Sequence, residues 1–148
     1  MREIKFRGRQ LSTGKWIYGD LVHDNMGGFY VYPMDCNGLF RDNRVAAETV
    51  GQYTCLLDKK DQEIYKGDIL FVEFADKSGG YYLVGWNEET ASWGIMDQYA
   101  YQSIKEGYDF AEFKNYTLLA FLKEAIICEV VGNIHDNPEL MNVPSYKD

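Results

Sequence analysis

Apolar and polar residues alternate along most of the chain with the period of a β-strand rather than that of a helix. "REIKFRGRQ" sets Ile4 and Phe6 against Lys5 and Arg7, which predicts a half-buried strand with the apolar pair inward. "LSTGK" is a turn in which Gly14 can take a positive φ, and "WIYGDLV" is a second strand. "HDNMGG" turns again before a third strand, "FYVYP". After the turn "DCNG" the pattern is less regular, but Val50, Gln52 and Thr54 alternate with Gly51, Tyr53 and Cys55. A polar loop, "LLDKKDQ", precedes the strand-like "EIYKGDILFVEF". "YYLVGWN" and "ASWGIM" then form a predicted hairpin around "EET".

Beyond residue 97 the pattern changes. Residues 97–125 are poor in β-branched side chains and rich in Ala, Glu, Lys and Leu, so part of this stretch is predicted helical. Leu118 and Leu122 stand four apart with Phe121 beside them. "IICEVVGNI" returns to strand character over about 127–134, with Val130 inward and Asn133 at a surface or turn. "NPEL" predicts a short helical turn with Asn137 as its cap and Pro138 at its first position. The tail from about residue 142 is expected to fray. The expected architecture is a single domain over 1–148 of mainly β (α+β) class. Its core is a small twisted β-barrel-like or sandwich structure, with a helical segment in the C-terminal third.

One pattern occurs twice. "WIYGDLV" and "EIYKGDIL" both place Gly-Asp between an Ile-Tyr pair and two aliphatic residues. Glycine lets a strand bend or bulge at low steric cost, and aspartate accepts nearby backbone N–H groups. The favoured reading is a pair of fold devices, with Gly19 and Gly67 at points where a strand changes sheet. The functional alternative groups Tyr18, Asp20, Tyr65 and Asp68 into one interaction surface.

Composition narrows the function. Aromatic residues make up 16% of the chain, more than an ordered core of this size need enclose, so some rings are expected on the surface. The net charge of −8 is uneven. Residues 1–16 carry Arg2, Lys5, Arg7, Arg9 and Lys15 against Glu3, a net of +4, and the remainder carries −12. An acidic surface repels phosphate backbones, so bulk nucleic-acid binding is disfavoured unless the basic N-terminal arm acts alone. No apolar run approaches the ~20 residues that span a bilayer, and no apolar stretch follows the basic N-terminus as in a signal peptide. Three widely spaced cysteines suit a reducing compartment.

Chemistry-bearing motifs are lacking. Cys36, Cys55, Cys128, His23 and His135 are isolated from one another, unlike the paired ligands of a zinc site. Asp58, Asp61 and Glu63 do not follow the spacing of a calcium loop. No phosphate-binding glycine loop is present. Cys55 or Cys128 with His135 and Asp136 would make a nucleophilic set only in a fold that gathered them. No catalytic residue, cofactor or metal is therefore expected.

The motifs "REIKFR", "TVGQYTCLLDKKDQEIYKGDIL" and "EVVGNIHDNPEL" together resemble the YopX family, small proteins found largely in bacteriophages and prophages. Segments 23–47 and 75–125 carry no motif of that kind. The chain departs from the family pattern at Cys55 and Asp61, where the pattern has glycine, and at His135-Asp136, where it has Tyr-Glu. The resemblance implies a mainly β, phage-encoded protein of uncharacterised function, and it supplies no catalytic residues; with the cysteines free, the expected location is the cytoplasm of a bacterial host cell. The expected function is a non-catalytic protein–protein interaction module that self-associates as a homo-oligomer or binds a host or phage protein. A nucleic-acid-associated protein, an acidic DNA mimic acting on a host enzyme, and an enzyme without a sequence signature are the alternatives.

Overall fold

The computed structural model of the chain describes residues 1–34, 41–107 and 117–144. Two compact units divide it, residues 1–55 and residues 56–148.

The first unit is an antiparallel sheet. Its strands are β1 (Phe6–Arg9), β2 (Trp16–His23), β3 (Phe29–Tyr32), β4 (Arg44–Val45) and β5 (Gly51–Leu57), in the order β4-β3-β2-β1-β5. Val45 reaches back to Gln10 through an isolated bridge, and Ala46 N donates to Arg9 O at 2.9 Å. Val45 also packs over Gly8, where a Cβ would lie 2.8 Å from its side chain. The sheet therefore curls on itself, but among the described residues no closed barrel forms.

Gly19 is the point where β2 changes partner. Residues 16–19 pair with β1, in the register Phe6↔Gly19 to Arg9↔Trp16. Residues 20–23 pair with β3, from Asp20↔Tyr32 to His23↔Phe29. A Cβ at Gly19 would overlap the Tyr32 carbonyl, so close approach of the two backbones requires glycine there.

At the start of β1 the expected polarity holds only for Phe6, which is half-buried. Ile4 is 61% exposed, whereas Arg7 is only 6% exposed and stacks over Trp16 at 4.8 Å from the ring centroid. Arg9 lies over the same ring at 5.3 Å. A flat indole accepts a guanidinium on its face, which makes an inward arginine tolerable. The N-terminal segment is thus a strand built into the sheet rather than a loose basic arm.

The second unit holds β6 (Glu63–Tyr65), β7 (Asp68–Glu73), β8 (Gly79–Asn87), β9 (Ser92–Asp97), α1 (Gln98–Lys105), α2 (Leu118–Glu124) and β10 (Ile127–Asn133). An antiparallel sheet runs β10-β7-β8-β9, and the predicted hairpin joins β8 to β9. Both faces of this sheet are covered. Leu70, Val72, Val84, Ile95 and Cys128 meet Leu118 and Phe121 of α2 on one side. Ile69, Leu83 and Met96 meet Ala100, Tyr101 and Ile104 of α1, with Met141, on the other. Each fully buried aliphatic side chain here contributes roughly 1.5–3 kcal/mol. Asp97 caps α1 by accepting from Ala100 N at 2.7 Å, and Thr117 caps α2 by accepting from Ala120 N at 3.1 Å. The mainly β class with a helical segment in the C-terminal third describes the molecule.

Gly67 stands at the second junction. With Lys66 it turns the chain from β6 into β7, and its φ of 90° is one that side chains resist. The Asp68 carboxylate closes this corner by accepting from Tyr65 N at 2.7 Å. The two positions where the family pattern has glycine explain themselves in the same way: Cys55 has φ 65° and Asp61 φ 63°. Cys55 lies inside β5 in a left-handed conformation that L side chains other than Asn and Asp rarely adopt.

β10 departs from a simple period of two. Its pairing with β7 shifts between Val130 and Gly132, so Val130 is half-buried and the exposed Val131 is the extra residue. Asn133 is buried at a turn, where its Oδ1 accepts from His135 N and Asp136 N. Pro138–Met141 forms a 3-10 turn. Asn137 precedes it but turns its Oδ1 back to Asn133 N instead of capping it. Gln98 Nε2 donates to Leu140 O and to Asn142 O at 2.8 and 2.9 Å, which ties the end of this turn to α1.

Candidate interaction surface

Antiparallel neighbours point to the same side of a sheet, so the register of β2, β3 and β4 defines one face directly. Asp20 faces Tyr32, Val22 faces Tyr30, and Tyr30 faces Arg44. The opposite face carries Leu21, Val31, Phe29 and His23, with Val31 fully buried in the core of the unit.

On the outer face the rings of Tyr30 and Tyr32 stack at 6.5 Å, nearly parallel at 12°. Tyr30 is held in place by its hydroxyl, which donates to Asp24 Oδ2 at 3.1 Å. Asp24 in turn organises the hairpin tip: its Oδ1 accepts from Met26 N at 3.0 Å and from Gly28 N at 2.8 Å. The Gly28 N–H bond, joined by Tyr30, holds the Asp24 carboxyl below its ordinary range. The same carboxylate pushes the Tyr30 phenol up. Val22 is 44% exposed, Asp20 and Arg44 are exposed, and the tyrosines are half-buried. The result is a small aromatic surface flanked by two carboxylates, Asp20 and Asp24, and one guanidinium, Arg44.

The four residues proposed from the repeated Gly-Asp pattern fall in two environments. Tyr18, 47% exposed, and Asp20 lie on β2 of the first unit. Tyr65 and Asp68 are buried in the second unit, where Asp68 serves the β6–β7 corner. Burial removes the latter two from any surface, so "EIYKGDIL" is a fold device. "WIYGDLV" is one too at Gly19, but its Asp20 also belongs to the outer face. Tyr30, Tyr32, Val22 and Arg44 were missed as candidates. The alternation in "FYVYP" already puts Tyr30 and Tyr32 on one side; only the strand register joins them to Val22, Asp20 and Arg44.

Elsewhere the polar interior is structural. Asp58 is 5% exposed and accepts three backbone bonds, from Lys60 N and Gln62 N on Oδ1 and from Val130 N on Oδ2, at 2.8–2.9 Å. With Lys59 N donating to Cys128 O at 3.0 Å, the 58–62 loop covers the outer edge of β10. Burial pushes the Cys128 thiol up to about 11, helped by the charge of Asp58, which makes it a poor nucleophile at neutral pH. Among the described residues no group of three or more His, Cys, Asp or Glu is placed to hold a metal ion. No helix among them is long and apolar enough to cross a membrane. Cys36 lies outside the described residues.

The family model "YopX protein" matches residues 5–142. No curated protein matches the chain. Among solved structures, the crystal structure of protein EF1440 from Enterococcus faecalis is similar with a TM-score of 0.55 at 18% identity, covering 96% of this chain and 100% of that one. A likeness at that identity is one of fold.

Proposed function

This chain belongs to the YopX family, of uncharacterised function, and on that premise we propose that it is a non-catalytic protein-interaction module whose contact surface is the outer face of β2, β3 and β4. The observation that carries this reading is the stacked Tyr30–Tyr32 pair beside exposed Val22, pinned by the bond that the Tyr30 hydroxyl donates to the Asp24 carboxylate. Tyrosines are enriched where proteins meet because they offer large area and a polar tip with few torsions to freeze. A ring already held in place loses less freedom on binding. Nucleic-acid association has weaker support, since Arg7 is buried and Arg9 is engaged with Trp16.

The test compares the wild-type chain with a Val22→Ser/Tyr32→Ser double variant. Affinity capture from a bacterial extract and sedimentation of the purified chain are run on both, with folding checked by circular dichroism. A protein, whether another chain or a second copy, held by the wild type and released by the variant supports the reading. Identical behaviour of the two refutes it, as does a tight gel shift of DNA at physiological salt by a monomeric chain.

A further inference from the structure

We infer that the outer edge of β10 is a latent pairing edge held shut by the 58–62 loop, and that releasing the loop lets β10 pair with β10 of a second copy of the chain.

β10 is the end strand of its sheet, so among the described residues only β7 pairs with it as a strand. Its sequence is of the kind that joins other chains when left open. "IICEVV", residues 126–131, sets Ile126, Ile127, Cys128, Val130 and Val131 against the single charge of Glu129, with no proline or glycine. Ile126 is 62% exposed and Val131 42% exposed, so both ends of this run meet water.

Polar groups from two distant stretches close the outer side. Cys128 O accepts from Lys59 N at 3.0 Å, and Val130 N donates to Asp58 Oδ2 at 2.9 Å. The Lys59 N–H and the Asp58 carboxylate thus stand where the donor and acceptor of an added strand would stand. Lys60 Nζ lies 3.4 Å from Glu129 Oε2 and adds charge to the cover. Beyond the bulge, Asn137 does the same for Asn133: its Oδ1 accepts from Asn133 N at 3.3 Å, and its N donates to Asn133 O at 2.8 Å. A Cβ at Gly132 would collide with the Asn137 side chain, so glycine lets that side chain lie against the strand. The motifs "TVGQYTCLLDKKDQEIYKGDIL" and "EVVGNIHDNPEL" therefore meet here, through Asp58 and Lys59 of one and Gly132, Asn133 and Asn137 of the other. Natural sheets guard exposed edges with charges, bulges and covering loops, and this edge carries all three.

The two halves of the guard differ. Asn137 reaches Asn133 from four residues away, whereas Asp58 reaches Val130 across 72 positions. Only the second can lift off without disturbing the end of β10 itself. It uncovers Cys128 O and Val130 N beside a β-prone run. An identical edge on a second copy, turned antiparallel, offers the matching donor and acceptor. Residues 56–148 contain eight basic and seventeen acidic residues, a net of −9, so copies repel at low salt. Pairing is expected at physiological salt, where charges more than about 8 Å apart are screened.

Sedimentation velocity at about 0.15 M salt is run on the full chain as wild type, Asp58→Ala, Asp58→Ala/Val131→Lys and Leu118→Ala. Circular dichroism checks the fold, and amide exchange follows Val130 N–H. Asp58→Ala should shift to larger species than wild type, with Val130 N–H unprotected in dilute solution and protected again in the assembled fraction. Val131→Lys puts a charge on the uncovered edge at an exposed position and should return the mass to that of wild type. Leu118→Ala opens a cavity under α2 and weakens the same unit with the guard in place, so it should keep the wild-type mass. That control separates release of the edge from general loss of stability. If Asp58→Ala does not hold its fold, Asp58→Asn, which keeps an oxygen for the loop, takes its place in the same comparison. A released loop with wild-type mass overturns the inference, as does assembly that survives Val131→Lys or is shared by Leu118→Ala. The shift should also persist with Val22→Ser/Tyr32→Ser added, and its loss there would assign the assembly to the β2–β4 face instead.

Discussion

Replacing Asp58 removes a buried anchor that ties the 58–62 loop to β10 across 72 positions of sequence. Its two carboxylate oxygens do different work. Oδ1 accepts from Lys60 N and Gln62 N, in an exposed loop where water can take over once the acceptor is gone. Those two bonds contribute about 0.5–1 kcal/mol each. Oδ2 accepts from Val130 N at the start of the β10 bulge, a half-buried donor with no other strand beside it. A charge-assisted bond of that kind is worth about 1.5–3 kcal/mol. Asp58→Ala should therefore destabilise the second unit by roughly 3–4 kcal/mol. Asp58→Asn keeps one oxygen for the loop and turns an amide N–H₂ towards Val130 N, so it should lose only the long-range part, about 2 kcal/mol. Urea unfolding followed by tryptophan fluorescence gives the totals, and amide exchange gives the location. In the Asn variant, Val130 N–H should lose protection while Gln62 N–H keeps it. An alanine variant within about 0.5 kcal/mol of wild type would refute the anchor. So would equal loss of protection at both amides in the Asn variant.

Other outcomes follow from the backbone and the thiols. Gly19→Ala should cost about 2 kcal/mol or more, because the new Cβ meets the Tyr32 carbonyl, whereas Gly14→Ala, with positive φ but open space, should cost only ~1 kcal/mol; equal costs would remove the close-approach explanation. Cys55→Gly should leave stability unchanged or raised despite losing the Sγ bond to Glu3 O, while Cys55→Val should lower it by about 1 kcal/mol or more, since a β-branched residue resists φ near 65°; a tolerated valine contradicts the left-handed backbone there. Cys128 binds its proton up to about pH 11 in the folded chain and to about 9 when unfolded, so the folded state holds more protons in that window and stability should fall as pH rises through it; a Cys128→Ala variant should lose that part of the decline, and an unchanged profile would exclude the thiol as its source.

Local rules act over a few residues, and what they govern was legible. The β8–β9 hairpin, the α2 face of Leu118, Phe121 and Leu122, and the strand character of "FYVYP" all follow from spacing alone. The junction glycines were legible as well, because Gly19 and Gly67 interrupt apolar pairs where a strand must turn. Local pattern could not tell that Ile4 faces water while Arg7 goes inside, since that depends on Trp16 arriving from the neighbouring strand to cover the guanidinium. Nor could it show that Asp58 belongs to Val130, or that a bulge after Val130 resets the phase of β10. The candidate surface divides in the same way. Alternation put Tyr30 and Tyr32 on one side of a strand, whereas Asp20, Val22 and Arg44 joined them only through pairing between strands. A strand's own sequence sets which residues share a side. Which strands become neighbours, and in which register, is settled by burying apolar surface and pairing backbone groups across the whole chain, so a surface assembled from three strands exists only in the folded molecule.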